Sequence, residues 1–230
     1  MWNPGEFSNM NFPAPVAVLG FLGGLAGLGL SILAALTFLF VRKAQWARGV
    51  AALVGAGAVV YFGLLAGMSL ASHEVTLTRG QEKYFCEIDC HLAYSIVSSG
   101  VELGDGQRQV RVTVRTRFDE STISPQRPKD APITPNPRQV LMVDSQGRNF
   151  RPFATAGTPL THELIPGQSY ETEFVFRLPA DADHPRLLIT SPGWEEHLLI
   201  GDENSFGHKK TYLAVPVASL ASRSRDFTGD

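Results

Sequence analysis

Cysteine is scarce in this sequence: 230 residues contain two, Cys86 and Cys90. That excludes a scaffold built mainly on disulfides. Charge is also thin, at 18% of residues with a net of −2, so no strong field for gathering nucleic acid is expected. There is no P-loop, no dinucleotide fingerprint and no Gly-x-Ser-x-Gly elbow. Neither His162-Glu163 nor Glu195-Glu196-His197 has zincin spacing. No internal repeat and no low-complexity tract occurs. With no complete catalytic set, the expectation is a non-catalytic protein.

The most informative absence is local. Pro15 to Val41 carries no charge, and neither does Gly49 to Ala71. Each run exceeds the roughly 20 apolar residues that cross about 30 Å of hydrocarbon. Residues 15–72 therefore read as a transmembrane hairpin, with helices at about 15–41 and 49–71 and a loop at 42–48. That loop holds Arg42, Lys43 and Arg48 and no acid, while residues 1–14 hold Glu6 and no Lys or Arg. Basic short loops stay on the cytoplasmic side. Both ends are then expected outside, which in a bacterium means the periplasmic face of the inner membrane. Trp46 and Trp2 suit the two interfaces. A cleavable signal peptide lacks support, because the first run has no basic segment before it and is too long. No ionisable residue lies within either run, which argues against transport.

Glycines recur in both runs at small-xxx-small spacing: Gly20 with Gly24, Gly23 with Gly27, and Gly63 with Gly67. Such positions let helix backbones approach closely. They are candidate packing sites, within the hairpin or against another membrane protein.

Beyond the hairpin, about 155 residues remain, enough for one domain with its own core. Period-two alternation recurs from Val75 onward. In Gln109 to Phe118, Val110, Val112, Val114, Thr116 and Phe118 face one way and Arg111, Thr113, Arg115 and Arg117 the other. A turn is expected at Gly104-Asp105-Gly106, and a hairpin joins Gln139–Val143 to Asn149–Phe153. Further strands are expected at Tyr170–Leu178, Arg186–Thr190, Leu198–Ile200 and Thr211–Val217. The fold class is thus α + β: a helical hairpin followed by an all-β sandwich of seven to nine strands over 73–221, with a tail at 222–230. The first strand starts so soon after the second run that the sandwich is expected close to the lipid surface. Asp119 to Arg138 is a long loop carrying Pro125, Pro128, Pro132, Pro135 and Pro137. Proline keeps it out of a ladder, which makes it a candidate partner contact.

One resemblance is carried by Gln139 to Ile189. It contains Val143-Asp144-Ser145-Gln146-Gly147-Arg148, then Leu164-Ile165-Pro166-Gly167-Gln168-Ser169, then Thr172-Glu173-Phe174-Val175-Phe176-Arg177-Leu178-Pro179. This resembles the telokin-like, immunoglobulin-like extracellular domain of many bacterial membrane proteins and lipoproteins. The resemblance implies a sandwich outside the cytoplasm and no particular activity. Members commonly have a single anchor, so the hairpin is a departure.

Cys86-Glu87-Ile88-Asp89-Cys90-His91 concentrates chemistry in six residues. A local disulfide suits an oxidising compartment. Copper or another soft metal would take both thiolates and His91, with His197 and His208 as further candidates. Here the segment resembles the copper loop of cytochrome oxidase subunit II, which also follows a two-helix hairpin. It departs after Cys90, where His91-Leu92-Ala93-Tyr94 replaces the Gly-x-x-His of that family. Cys-x-x-x-Cys-His is also a rare variant of the c-type haem motif, which makes His91 an axial ligand. A thiol–disulfide redox centre is disfavoured, since Glu87 and Asp89 would raise a cysteine pKa.

The leading expectation is an accessory subunit of a larger membrane complex, with a respiratory or photosynthetic electron-transfer complex as host by analogy to the oxidase subunit. Its partners would be the bilayer and other integral subunits, with no nucleic acid. The alternatives are a copper- or haem-binding electron carrier and a stand-alone surface binding module.

Overall fold

A computed structural model describes residues 7–87, 89–104 and 107–216. Trp2, Glu6, Ile88, the turn at Asp105-Gly106, Val217 and the tail lie outside the described residues. The chain divides into two units. One comprises Met1–Val75, Phe85–Cys90 and Ser191–Lys210; the other comprises Thr76–Tyr84, His91–Thr190 and Thr211–Asp230. This corrects the expected boundary after Ser72, because the cysteine segment and Ser191–Lys210 group with the helices.

In the first unit, α1 runs Ala14–Phe40 and α2 runs Ala44–Ala71. Pro15 is the second residue of α1, in the first turn, where its missing N–H costs nothing. Both helices are long and apolar enough to cross a membrane, and 6% of each apolar window is buried within the protein. The connection is shorter than the expected 42–48 loop. Gln45, Trp46, Ala47 and Arg48 belong to α2, and the turn is made at Val41–Lys43 with Arg42 at φ 57°. The reason is that charge bounds a hydrophobic run without breaking a helix, and these residues hold helical geometry well. Trp46 packs near Phe38, with ring centroids 6.1 Å apart.

The second unit is a two-sheet sandwich. Its strands are β1 (Val75–Leu77), β2 (Lys83–Phe85), β3 (Leu92–Gly104), β4 (Gln107–Phe118), β5 (Gln139–Val143), β6 (Asn149–Phe150), β7 (Pro152–Gly157), β8 (Ser169–Pro179), β9 (Arg186–Thr190) and β10 (Thr211–Ala214). One sheet has the order β1-β10-β9-β5-β6 and the other β2-β3-β4-β8-β7. Leu198–Ile200 is not a strand; Glu195–Leu198 forms a 3-10 turn instead. Asn149–Phe153 does return from β5, but only Asn149 and Phe150 pair with it. The chain then changes sheets at Arg151, and β7 pairs with β8.

β4 buries Val110, Val112, Val114, Thr116 and Phe118, as its alternation predicts. Its outward arginines meet acids across the ladder: Arg111 with Glu173 and Arg115 with Glu171 on β8. Between the sheets lie Tyr94, Phe176, Met142, Leu187 and Ile189. Among them is a lysine. Lys83 is 0% exposed, and its Nζ donates to the Ile189 carbonyl at 2.7 Å and the Thr211 carbonyl at 2.9 Å. A buried amine is tolerable only with such partners. It ties β2 of one sheet to β9 and β10 of the other.

Replacing Lys83 with Ala removes that donor and leaves a cavity, so stability should fall by about 2 to 4 kcal/mol in urea unfolding. Lys83→Met keeps most of the volume and should cost less.

Candidate functional site

The sequence-predicted site residues divide between the two units. Cys86 and Cys90 are joined in a disulfide. Cys86 is buried against Met10, Ala14 and Ala17, with Phe12 and Cys90 packed at the edge. Sulfurs bonded to each other are neither thiolate ligands nor haem thioethers, so the copper and haem readings do not describe this state. Glu87 and Asp89 are exposed on the loop that the bridge closes.

His91 belongs to the sandwich unit. It is buried, stacks on Phe118 at 5.5 Å, and has Nδ1 2.6 Å from Thr122 Oγ1. His197 lies edge-on to Phe206 at 5.4 Å, and His208 Nδ1 is 2.7 Å from the Lys209 carbonyl. Among the described residues, no group of three or more His, Cys, Asp or Glu side chains is arranged to hold a metal ion.

Around the disulfide is a polar cradle that the sequence did not announce. The Asn9 side chain accepts from the Cys86 backbone N–H at 2.7 Å and donates to Asp202 Oδ2 at 3.0 Å. Asn9 also donates to the Cys86 carbonyl at 3.4 Å. The backbone closes beside it, with Glu203 N–H to the Asn9 carbonyl at 2.7 Å and Asn11 N–H to the Gly201 carbonyl at 2.9 Å. One side chain thus links three stretches of the first unit. A cavity of 470 Å³ opens there, lined by Met10, Phe12, Pro13, Ala14 and both cysteines.

Asp202 and Glu203 are both buried in this cradle, and Asp202 is the one that Asn9 bonds. Burial pushes its carboxyl up to about 7, and the charges of Glu203 and Glu196 add to the rise. The Asn204 backbone N–H, 2.7 Å from Oδ1, and the Lys210 charge oppose it. Burial also lowers the pKa values of His208 and Lys210. Gly201 makes the approach feasible. It sits at φ +78°, and a Cβ there would collide with Phe12 and the Asn11 side chain.

The glycines that the sequence marks for packing do not hold the two helices together. A Cβ built at Gly20, Gly23, Gly24, Gly27, Gly63 or Gly67 meets nothing within 4 Å. Gly24, Gly27 and Gly57 instead line a groove of 420 Å³ between α1 and α2, with Phe21, Leu28 and Tyr61. The Tyr61 hydroxyl donates to the Leu198 carbonyl at 2.6 Å. The expectation that these glycines pack within the hairpin is thus corrected.

In the proline loop, Pro125, Pro128, Pro132 and Pro137 are exposed and Pro135 is buried. The loop is fastened midway, because Ile133 and Leu164 exchange both backbone hydrogen bonds. Pro135 is therefore not a surface for a partner.

The sandwich also contains a closed network of charge. Arg117 bonds Glu82, Tyr84 and Asp119, and the Tyr84 hydroxyl donates to Asp119 Oδ2. Burial raises the Tyr84 pKa to about 12, helped by its bond to Asp119. Burial would raise Asp119 too, but Tyr84, Ser121 and Arg117 outweigh it and hold the carboxyl down at about 2. This network fastens β2 to the end of β4.

No family model matches the chain, and no curated protein matches it. Among solved structures, it is similar to MPT63, a secreted protein from Mycobacterium tuberculosis. The identity is 11%, over 52% of this chain and 92% of that one, with a TM-score of 0.38. It is similar also to an uncharacterized β-sandwich protein from Clostridium difficile 630, at 9% identity over 62% and 95% of the two chains, TM-score 0.37. An ApaG protein from Pseudomonas aeruginosa PAO1 shares 21% identity over 42% and 90%, TM-score 0.26. At this distance none of the three speaks to what this chain does.

Two outcomes follow from the site. Gly201→Ala forces a left-handed backbone and a collision with Phe12 together. It should loosen the N-terminal segment, seen as faster amide exchange at Asn11 and Glu203 and as a loss of about 2 kcal/mol or more. Asp119 has a folded pKa below its unfolded value, so its contribution is present above about pH 4 and is lost as pH falls toward 2. Acid unfolding of the wild type should show this, and Asp119→Asn should remove about 2 kcal/mol of that pH dependence.

Proposed function

We propose that the chain is a non-catalytic accessory subunit anchored in a bacterial inner membrane by the α1–α2 hairpin. The basic turn would lie on the cytoplasmic side, and both ends would lie on the periplasmic side. The observation that carries this reading is the unfilled, glycine-lined groove between α1 and α2. Its wall has no ionisable side chain apart from the Tyr61 phenol, which suits neither transport nor chemistry but does suit a helix. In lipid, close packing drives helix association, and glycine positions open to their surroundings are where another backbone can come near. The occupant in this reading is a helix of a larger complex. The sequence resemblance to oxidase subunit II suggests an electron-transfer complex as the class of host.

The test is co-purification of the tagged, full-length chain from membranes in mild detergent. A stoichiometric integral-membrane partner is expected. Gly24→Leu with Gly27→Leu meets open space within the chain. The double variant should therefore insert and fold normally, yet lose partner about tenfold or more, equivalent to at least about 1.4 kcal/mol. A wild-type chain that runs alone, or a variant that keeps its partner, would overturn the reading.

A further inference from the structure

Ser191–Lys210 belongs to the helical unit and runs beside α2. Tyr61 bonds the Leu198 carbonyl at 2.6 Å, and the Lys209 N–H bonds Ser72 Oγ at 2.9 Å. Tyr61 lies ten residues before Ala71, the end of α2, or about 15 Å along the axis at about 1.5 Å per residue. The segment therefore descends well below the top of the helix. It carries Trp194 at 74% exposure and Phe206 at 63%, with His197 between them against Phe206.

The length of α2 says what surrounds that level. Its 28 residues span about 42 Å, whereas a hydrocarbon core is about 30 Å thick. Measured from Gly49, where the charge-free run begins, Tyr61 lies about 18 Å along the axis, in the outer half of the core. The end of α2 near Ala71 would reach the headgroup region, where the Lys209 N–H meets Ser72 Oγ, and the segment runs from that boundary toward the outer half of the core. Glu195, exposed one residue from Trp194, has to reach the wet side of that boundary, since a carboxylate in hydrocarbon costs several kcal/mol. Trp and other aromatics are favoured at this boundary, since the ring prefers the apolar side and the indole N–H the wet side.

We propose that Trp194 and Phe206 form an interfacial anchor that binds the outer leaflet of the bilayer and fixes the depth of α2. The inference rests on the spanning hairpin. Its occupant is lipid at the level of headgroups and upper acyl chains, not a protein partner.

The test uses the full-length chain with Trp194 as its sole tryptophan (Trp2→Phe, Trp46→Phe), reconstituted in phosphatidylcholine–phosphatidylglycerol vesicles. Lipids brominated near the top of the acyl chain should quench Trp194 about twofold or more beyond lipids brominated near its end. Aqueous iodide should quench it weakly. Strong iodide quenching without a bromolipid effect would place the segment in water and overturn the anchor. So would stronger quenching by the deep bromines. Alkaline carbonate extraction separates the two readings. A chain that stays in the vesicles while Trp194 is in water loses only the anchor, whereas a chain released by carbonate loses the hairpin as well.

Discussion

Leu19, Leu30, Leu33, Leu53, Val59 and Val60 leave between 62% and 74% of their surfaces open on α1 and α2. In water, each Å² of that surface would cost about 25 cal/mol. The same helices satisfy their own backbone hydrogen bonds, as a segment in hydrocarbon must. These two facts bear on everything else in the chain. They fit the absence of charge over two long runs. They also explain why glycine can be so frequent in helices that have nothing of their own to pack there.

The rest of the helical unit is organised by hydrogen bonding. The chain has to lead into α1 and out of α2 without stranding buried polar groups. Asn9 solves much of this with one amide, serving the Cys86 backbone and the Asp202 carboxylate together. The disulfide then acts as a local clip that holds Cys86 against Met10 and Ala14. Such a short loop adds little stability through chain entropy. Its role is to fix the shape of a turn whose backbone Asn9 holds. In the sandwich unit, Lys83 and the Arg117–Asp119–Tyr84 network do comparable work, with polar groups that burial would penalise if they were not mutually satisfied.

Much of the architecture was legible in residue order. Charge-free length marked both helices, and period-two burial marked β4 and β8, because each pattern follows directly from one element's geometry. What was missed depends on contacts remote in sequence. Lys83 reads as a surface residue until Ile189 and Thr211 bring their carbonyls to it. Asn9 has no local signature, and Asp202 is recognisable only as the start of a turn through Asn204. The short strand β2 was hidden because its neighbours Cys86 and Cys90 suggested chemistry. Leu198–Ile200 has strand-like composition, but the 3-10 turn Glu195–Leu198 takes in its first residue and the Tyr61 hydroxyl claims the Leu198 carbonyl. The local disulfide read from Cys86 and Cys90 is formed, while His91, adjacent in sequence, turns to Thr122 and Phe118.

Topology is the most direct measurement, because the orientation of the hairpin decides whether the proposed role is available at all. The native chain has no free thiol, so introduced cysteines report without background. Intact spheroplasts carrying either Gln45→Cys, in the first turn of α2, or Ser222→Cys would be treated with a membrane-impermeant maleimide. The account predicts labelling of Ser222→Cys at once and of Gln45→Cys only after lysis. Labelling of both before lysis, or the reverse order, would contradict a hairpin whose basic turn faces the cytoplasm.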